Sequence, residues 1–154
     1  MNSLTSSEAG AVERARAAPM LAQVEAWSAI NSGSRNISGL KAMAALLSDA
    51  FATLPGDLTL RPAAAVDAMG ANGALSPLAH GDNLHLTVRP EAPIQLLFTG
   101  HYDTVFPIDH PFQNVFWRSE GVLGGPGVAD MKGGIAVMLA ALSAIEGAPG
   151  VERI

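Results

Sequence analysis

The chain contains no cysteine. This absence excludes disulfide bonds, zinc sites built from thiolates and a cysteine nucleophile. Any metal ion that the protein binds must therefore be held by histidine and carboxylate side chains. The sequence contains four histidines and 14 acidic residues that are candidates for this purpose.

Charged residues are also scarce. They make up 15% of the chain, against about 25% in typical globular proteins, whereas hydrophobic residues make up 49%. A self-contained domain of 154 residues usually carries more charge on its surface. The composition therefore indicates that part of the surface is covered by chain outside this sequence.

The charge that is present is mostly acidic, with 9 basic against 14 acidic residues and a net charge of −5. No basic stripe is available to neutralise phosphates, so neither nucleic acid nor a membrane is expected as a partner. Residues 1–10 lack the apolar core of a signal peptide. No uncharged apolar run reaches the roughly 18 residues of a membrane-spanning helix. We expect a soluble, cytoplasmic protein.

The periodicity of apolar residues predicts three amphipathic helices. They cover residues 19–30, residues 38–54 with Ser38 as the N-cap, and residues 131–145. Residues 1–18 are predicted to be a flexible or loosely helical lead-in. Residues 19–154 are predicted to form one domain, or part of one.

Alternating apolar and polar residues predict strands between these helices. The most apolar of them, residues 94–99, is expected to lie at the centre of a sheet. The mixture of strands and helices predicts an α/β fold with a mixed, largely parallel sheet flanked by helices. The other strands are predicted over residues 57–66, 83–89, 115–118, 121–123 and 151–154, and a loop is predicted over residues 69–80.

Residues 100–105, Gly-His-Tyr-Asp-Thr-Val, follow the predicted central strand. In an extended backbone residues i and i+2 point to the same face, so Asp103 can approach one ring nitrogen of His101. The other nitrogen then stays free for a metal ion, since such a carboxylate fixes the tautomer of the imidazole. The alternative is a hydrogen bond between these side chains in a loop that binds no metal.

A second loop, residues 124–134, reads Gly-Gly-Pro-Gly-Val-Ala-Asp-Met-Lys-Gly-Gly. Its glycines allow a tight turn and a close approach to another group. Asp130 stands at the entry of the last predicted helix, where it can be an N-cap. Its two oxygens could equally join two metal ions about 3.5–4 Å apart, as in two-metal hydrolases.

The remaining candidates are weaker. His80, His85 and His110 are interpreted as surface residues. Lys132 lies in the glycine-rich loop, but the spacing does not match that of a phosphate-binding loop. A nucleotide-binding module on this loop is therefore the least favoured hypothesis.

Residues 98–105 and 124–134 together resemble the family of dinuclear zinc peptidases and deacylases. That family includes glutamate carboxypeptidase, acetylornithine deacetylase, succinyl-diaminopimelate desuccinylase and aminoacylase. The two segments occur in the family's order and at a spacing that the family accepts. The resemblance is to the N-terminal portion of such an enzyme and implies an incomplete zinc-peptidase catalytic domain.

Residue by residue, the resemblance implies that His101 is a ligand of one zinc ion and that Asp130 bridges two. It implies that Asp103 is the active-site acid that orients His101. It also implies a cis peptide bond between Asp130 and Met131. The family's Glu-Glu pair, which supplies the general base and a zinc ligand, has no counterpart in this sequence, nor have its further ligands.

The resemblance implies a zinc-dependent hydrolase that cleaves an amide bond of a peptide or N-acyl amino acid with a zinc-activated water. Cobalt or manganese could replace zinc, because histidine and carboxylate sites also accept them. The substrate would carry a free carboxylate, and the full-length enzyme could be a homodimer. The alternative is a catalytically inactive, truncated fragment that needs a complementing chain.

Overall fold

The structure is a computed structural model that describes residues 4–154. Residues 1–3 of the predicted lead-in lie outside the described residues. The described residues form four α-helices, and the last three of these carry most of the buried side chains. The four helices are α1 (Ser6–Arg16), α2 (Met20–Ser28), α3 (Ile37–Phe51) and α4 (Gly133–Glu146).

Helices α2 and α4 lie close to the bounds that the apolar periodicity predicts. Helix α3 begins one residue earlier than expected, and its N-cap is Asn36, not Ser38. The Asn36 side chain accepts hydrogen bonds from the Gly39 N–H and from the Ser38 hydroxyl. Asparagine and serine are both good N-caps, so the local sequence could not choose between the two positions.

Helix α1 occupies most of residues 1–18. It begins with a capping box, in which the Thr5 hydroxyl accepts from the Glu8 N–H and the Glu8 carboxylate accepts from the Thr5 N–H. Its basic side chain Arg14 donates to the Ala144 carbonyl in the last turn of α4 at 3.0 and 3.2 Å. This contact fixes α1 against the end of α4.

Six short strands form three two-stranded sheets, each of them antiparallel. Strand β1 pairs with β4, β2 with β3, and β5 with β6. The strands are β1 (Asp57–Arg61), β2 (Asp67–Met69), β3 (Leu75–Pro77), β4 (Asn83–Thr87), β5 (Phe116–Ser119) and β6 (Val122–Gly124).

The α/β class is confirmed, but the predicted largely parallel sheet is wrong for residues 4–154. There the one parallel contact is an isolated bridge between Gly33 and Thr104. Residues 94–99, predicted as the central strand, pair with no described strand. The segment is apolar, as its sequence shows. Strand pairing, however, depends on partners distant in sequence, which a local pattern does not specify.

Two further differences concern short segments. The predicted loop 69–80 contains part of the β2–β3 hairpin, which turns at Gly73 with a φ of 78°. Residues 151–154, predicted as a strand, instead begin with a single 3₁₀ turn, Val151–Arg153.

The hydrophobic core lies between the helices. Side chains of α2, α3 and α4 meet there. Leu54, which follows the last turn of α3, joins them. Helix α4 and the turn before it, Val128–Glu146, are long and apolar enough to span a membrane by length and composition. We interpret α4 as a core helix, because its apolar face packs against α2. The core residues are Val24, Trp27, Met43, Leu47, Phe51, Leu54, Ile135, Ala136 and Leu139.

Candidate metal centre

His101 and Asp103 face each other as the i, i+2 spacing predicts. The His101 Nδ1 atom lies 3.1 Å from Asp103 Oδ1 and 3.1 Å from the Asp103 carbonyl oxygen. Both acceptors favour a proton on Nδ1. The Nε2 lone pair is then available to a cation.

Asp130 approaches the opposite side of the same imidazole. Its Oδ1 atom lies 3.0 Å from His101 Nε2, although the two residues are 29 positions apart in the sequence. The Asp130 side chain is 83% exposed and the His101 side chain is 48% exposed. The structure therefore brings together His101, Asp103 and Asp130.

An irregular turn, Val128–Lys132, holds Asp130 in place before α4 begins. The turn starts after Gly127, which has a φ of 76°, and Asp130 itself has extended backbone with φ −131° and ψ 98°. The Asp130–Met131 peptide bond is cis, as the family resemblance implies. Asp130 therefore lies in an irregular turn and not at a regular helix N-cap.

The electrostatics of the imidazole reflect both carboxylates. Partial burial opposes its charged form, but the hydrogen bonds to Asp130 and Asp103 outweigh this and raise the pKa of His101 above its usual 6.5. A site that stabilises a positive charge on the imidazole also favours a cation placed between the imidazole and Asp130.

The donor pair fits part of a zinc site. Two ligands bound to one tetrahedral zinc ion at about 2.0–2.1 Å lie about 3.3 Å from each other. The 3.0 Å between His101 Nε2 and Asp130 Oδ1 is close to that spacing. Within residues 4–154, however, no group of three or more histidine or acidic side chains is placed to hold a metal ion.

Residues 31–34, which follow the first predicted amphipathic helix and were given no functional role by the sequence pattern, support the Asp103 loop. The Thr104 N–H donates to the Ser32 carbonyl at 2.9 Å, and the Ser34 N–H donates to the Thr104 carbonyl at 3.0 Å. The Ser32 hydroxyl donates to the Tyr102 carbonyl at 2.7 Å. A Cβ atom on Gly33 would lie only 2.4 Å from the Phe106 carbonyl oxygen, so only glycine fits there.

Lys132 supports the loop that carries Asp130. Its side chain is fully buried, and its Nζ atom donates to the carbonyls of Trp27 at 3.0 Å and Ile30 at 2.9 Å. Burial lowers the pKa of Lys132 to about 8. The sequence pattern excluded a phosphate-binding role for this lysine but gave no indication of its structural role.

A cleft of about 320 Å³ opens beside the three site residues. His101, Asp103 and Asp130 line its polar side, and Phe106 and Phe112 line its apolar side. The cleft therefore offers both a cation-binding edge and a surface for an apolar group.

Within the described residues, none of the other three histidines forms a metal-holding group with His101 and Asp130. His85 is exposed, as predicted, whereas His80 and His110 are half-buried. The ring of His110 packs against Phe106 with centroids 5.0 Å apart. Its Nδ1 atom accepts from the Phe112 N–H, so His110 supports the apolar wall of the cleft.

One comparison with known families gives a match in the part of the chain that contains these residues. Residues 97–152 match the model of peptidase family M20/M25/M40, and this segment contains His101, Asp103 and Asp130. The match, which covers about a third of the chain, supports the resemblance to the dinuclear zinc peptidases. No curated protein matches the chain. A match to a peptidase family indicates a hydrolase.

Proposed function

We propose that this chain is the N-terminal part of a zinc-dependent hydrolase that cleaves an amide bond of a peptide or an N-acyl amino acid. The observation that carries the proposal is the convergence of His101 Nε2 and Asp130 Oδ1 to 3.0 Å. The two side chains come from separate loops, and both lie inside the matched peptidase segment.

In this proposal each of the three residues has a distinct role. His101 and Asp130 would hold a metal ion, and the carboxylate of Asp130 would be available to a second ion. Asp103 orients the imidazole from its Nδ1 side. Bound zinc supplies Lewis acidity, which activates water and polarises the amide carbonyl. Cobalt or manganese would suit the same donors.

The proposed substrate carries a free carboxylate and would bind along the cleft of about 320 Å³. The aromatic wall of that cleft would contact an apolar part of the substrate. The proposal also keeps a cytoplasmic location and a possible homodimer for the full-length enzyme, with neither nucleic acid nor membrane as a partner.

A second candidate is that the isolated chain is inactive and requires a complementing chain. The accessible surface favours it: 9892 Å² is roughly a third more than the 7,300 Å² or so expected for a compact monomer of this mass. The excess includes the apolar run 94–99, whose Leu97 side chain is 89% exposed. Within the described residues, no further histidine or acidic side chain joins His101 and Asp130 to complete a group that could hold a metal ion.

One experiment tests both candidates. Zinc is titrated into the metal-free chain by calorimetry, and N-acyl amino acids are then assayed for hydrolysis with zinc present. The variants are His101→Asn and Asp130→Asn. Their matched controls are His85→Asn and Asp57→Asn, which make the same chemical changes at exposed positions.

We expect zinc binding in the wild type, a loss of about tenfold or more in affinity in each site variant, and wild-type affinity in both controls. Zinc binding without hydrolysis supports the second candidate, and hydrolysis by the pure chain contradicts it. If the site variants bind zinc as tightly as the controls, the metal-centre proposal is wrong.

A further inference from the structure

Ser34 lies on the far side of Asp103 from His101. Its Oγ atom is 2.5 Å from Asp103 Oδ2, while Asp103 Oδ1 is 3.1 Å from His101 Nδ1. The two oxygens of one carboxylate are thus used separately, one by the serine and one by the imidazole. Ser34 lies in the connection between α2 and α3. Its side chain contacts that of Asp103, which in turn contacts that of His101.

The hydroxyl of Ser34 has one proton to donate. Its other acceptor, the Thr104 carbonyl oxygen, is 3.2 Å away. The contact with Asp103 is shorter, and a hydrogen bond to a carboxylate is about twice as strong as one between neutral groups. The proton therefore goes to Asp103 Oδ2.

The serine itself is fixed by backbone contacts. Its N–H donates to the Thr104 carbonyl, and the neighbouring Ser32 carbonyl accepts from the Thr104 N–H. These bonds form the bridge between Gly33 and Thr104. Because Gly33 lies against the Phe106 backbone, the segment cannot shift towards the loop without a clash.

We propose that Ser34 is a positioning residue of the candidate metal centre. It fixes the rotation of the Asp103 carboxylate so that Oδ1 faces His101 Nδ1. The terminal torsion of aspartate has a broad energy minimum, so without the serine that oxygen is free to turn away. The inference rests on the proposed function: a carboxylate fixed at Nδ1 keeps the proton on that nitrogen, so that His101 Nε2 can bind a metal ion.

The test measures the tautomer of His101 directly, in the absence of metal. Long-range ¹H–¹⁵N correlation spectra of the ¹⁵N-labelled chain distinguish a proton on Nδ1 from one on Nε2. They are recorded at about pH 9, above the usual histidine pKa of about 6.5. The His101→Asn variant assigns the signals. The variants compared are Ser34→Ala, Ser34→Cys and Ser34→Thr.

In the metal-free wild type Asp130 Oδ1 favours a proton on Nε2, whereas two acceptors of Asp103 favour a proton on Nδ1. We therefore expect both tautomers, with the Nδ1–H form in excess. In Ser34→Ala the Nε2–H fraction should rise about twofold or more, because the tautomer is set by the hydrogen bond at the other nitrogen. Ser34→Thr retains the hydroxyl and should restore the wild-type ratio. The control is Ser48→Ala in α3, a half-buried serine that donates to the Ala44 carbonyl, which should leave the ratio unchanged.

A purely structural role for Ser34 would lower stability without changing the tautomer. Thermal unfolding is therefore recorded for every variant. If Ser34→Ala does not fold, Ser34→Cys replaces it, since a thiol preserves the shape but is a weak donor. An unchanged tautomer ratio in the folded variant overturns the inference.

A zinc titration separates this inference from the proposed function. Ser34→Ala should bind zinc about tenfold more weakly than the wild type. If the wild type binds no zinc but the tautomer still shifts, the proposed function fails and the positioning role stands. If the wild type binds zinc and Ser34→Ala changes neither the tautomer nor the affinity, the inference fails alone.

Discussion

At the scale of the residue, Lys132 connects the Asp130 loop to the end of α2. Its ammonium group is buried and donates to the Trp27 and Ile30 carbonyls. These carbonyls lie at the C-terminal end of a helix, where a cation is favoured by the helix dipole. One side chain therefore donates hydrogen bonds to carbonyls at the C-terminal end of α2 and holds the turn that carries Asp130.

We expect Lys132→Met to destabilise the protein by about 1 kcal/mol, because the half-buried Ile30 carbonyl is left without a donor. The Trp27 carbonyl would keep the Ile30 N–H as a donor, but residues 4–154 offer the Ile30 carbonyl no other one. Urea unfolding, followed by tryptophan fluorescence, measures the change.

The control for this substitution is Lys41→Met, which removes an exposed lysine from α3. An exposed substitution of this kind usually changes stability by no more than about 0.5 kcal/mol. If Lys132→Met unfolds at the same urea concentration as Lys41→Met, the two hydrogen bonds of Lys132 contribute nothing to stability.

At the scale of the element, the end of α4 is tied to the segment after β4 by one ion pair. Arg89 donates through Nη1 and Nη2 to the two oxygens of Glu146, at 2.9 and 2.7 Å, and through Nε to the Ile154 carbonyl. The hydrogen bonds from Arg89 lower the pKa of Glu146 from its usual 4.5. The carboxylate is thus held ionised in the folded protein.

The pH dependence follows from that lowered pKa. A carboxyl group with a lower pKa in the folded state stabilises the fold above its usual pKa, and this stabilisation is lost as the pH falls through the folded-state value. We expect Glu146→Gln to lower the melting temperature at pH 7. The difference from the wild type should shrink as the pH falls below 4.5.

Circular dichroism melts at a series of pH values measure this difference. The control is Glu120→Gln, which makes the same change at an exposed residue between β5 and β6. The role of the ion pair is refuted if the Glu146→Gln difference stays constant between pH 7 and about pH 3, a range that spans the usual glutamate pKa.

At the scale of the whole molecule, a groove of about 910 Å³ separates α3 and β4 from α4. Residues 95–99 line it, and exposed Leu96, Leu97 and Phe98 form an apolar surface. A segment of this kind, without a paired neighbour, is prone to associate with another strand. The low charge of the sequence is consistent with such an uncovered surface.

We expect the isolated chain to self-associate with increasing concentration, and Leu97→Lys to reduce the association. A lysine on an unpaired strand opposes pairing with another chain. Sedimentation velocity over a concentration series measures the effect. Leu97 is 89% exposed, so the substitution should leave the melting temperature within the error of the measurement.

The matched control is Leu75→Lys in β3, which places the same charge on another exposed leucine, 63% accessible. It should associate like the wild type. Equal loss of association in both variants would show that net charge, and not the 94–99 segment, governs the effect.

The sequence by itself determined the local elements and the candidate site residues. The apolar periodicity identified α2, α3 and α4 within a few residues, because burial of one helix face leaves a repeat that is visible in the sequence. The i, i+2 spacing of His101 and Asp103 was enough to predict their contact. The family resemblance, and not spacing, indicated Asp130 as the partner of His101.

The tertiary structure alone decided which distant segments meet. The sequence did not reveal that Ser34 contacts Asp103 or that Lys132 contacts the end of α2, since those partners are 69 and 102 to 105 positions apart. It also predicted a central strand at residues 94–99, where the described chain has an exposed segment that is paired with no strand. Periodicity reports which face of a segment is apolar, whereas pairing and side-chain contacts depend on long-range packing that no local pattern encodes.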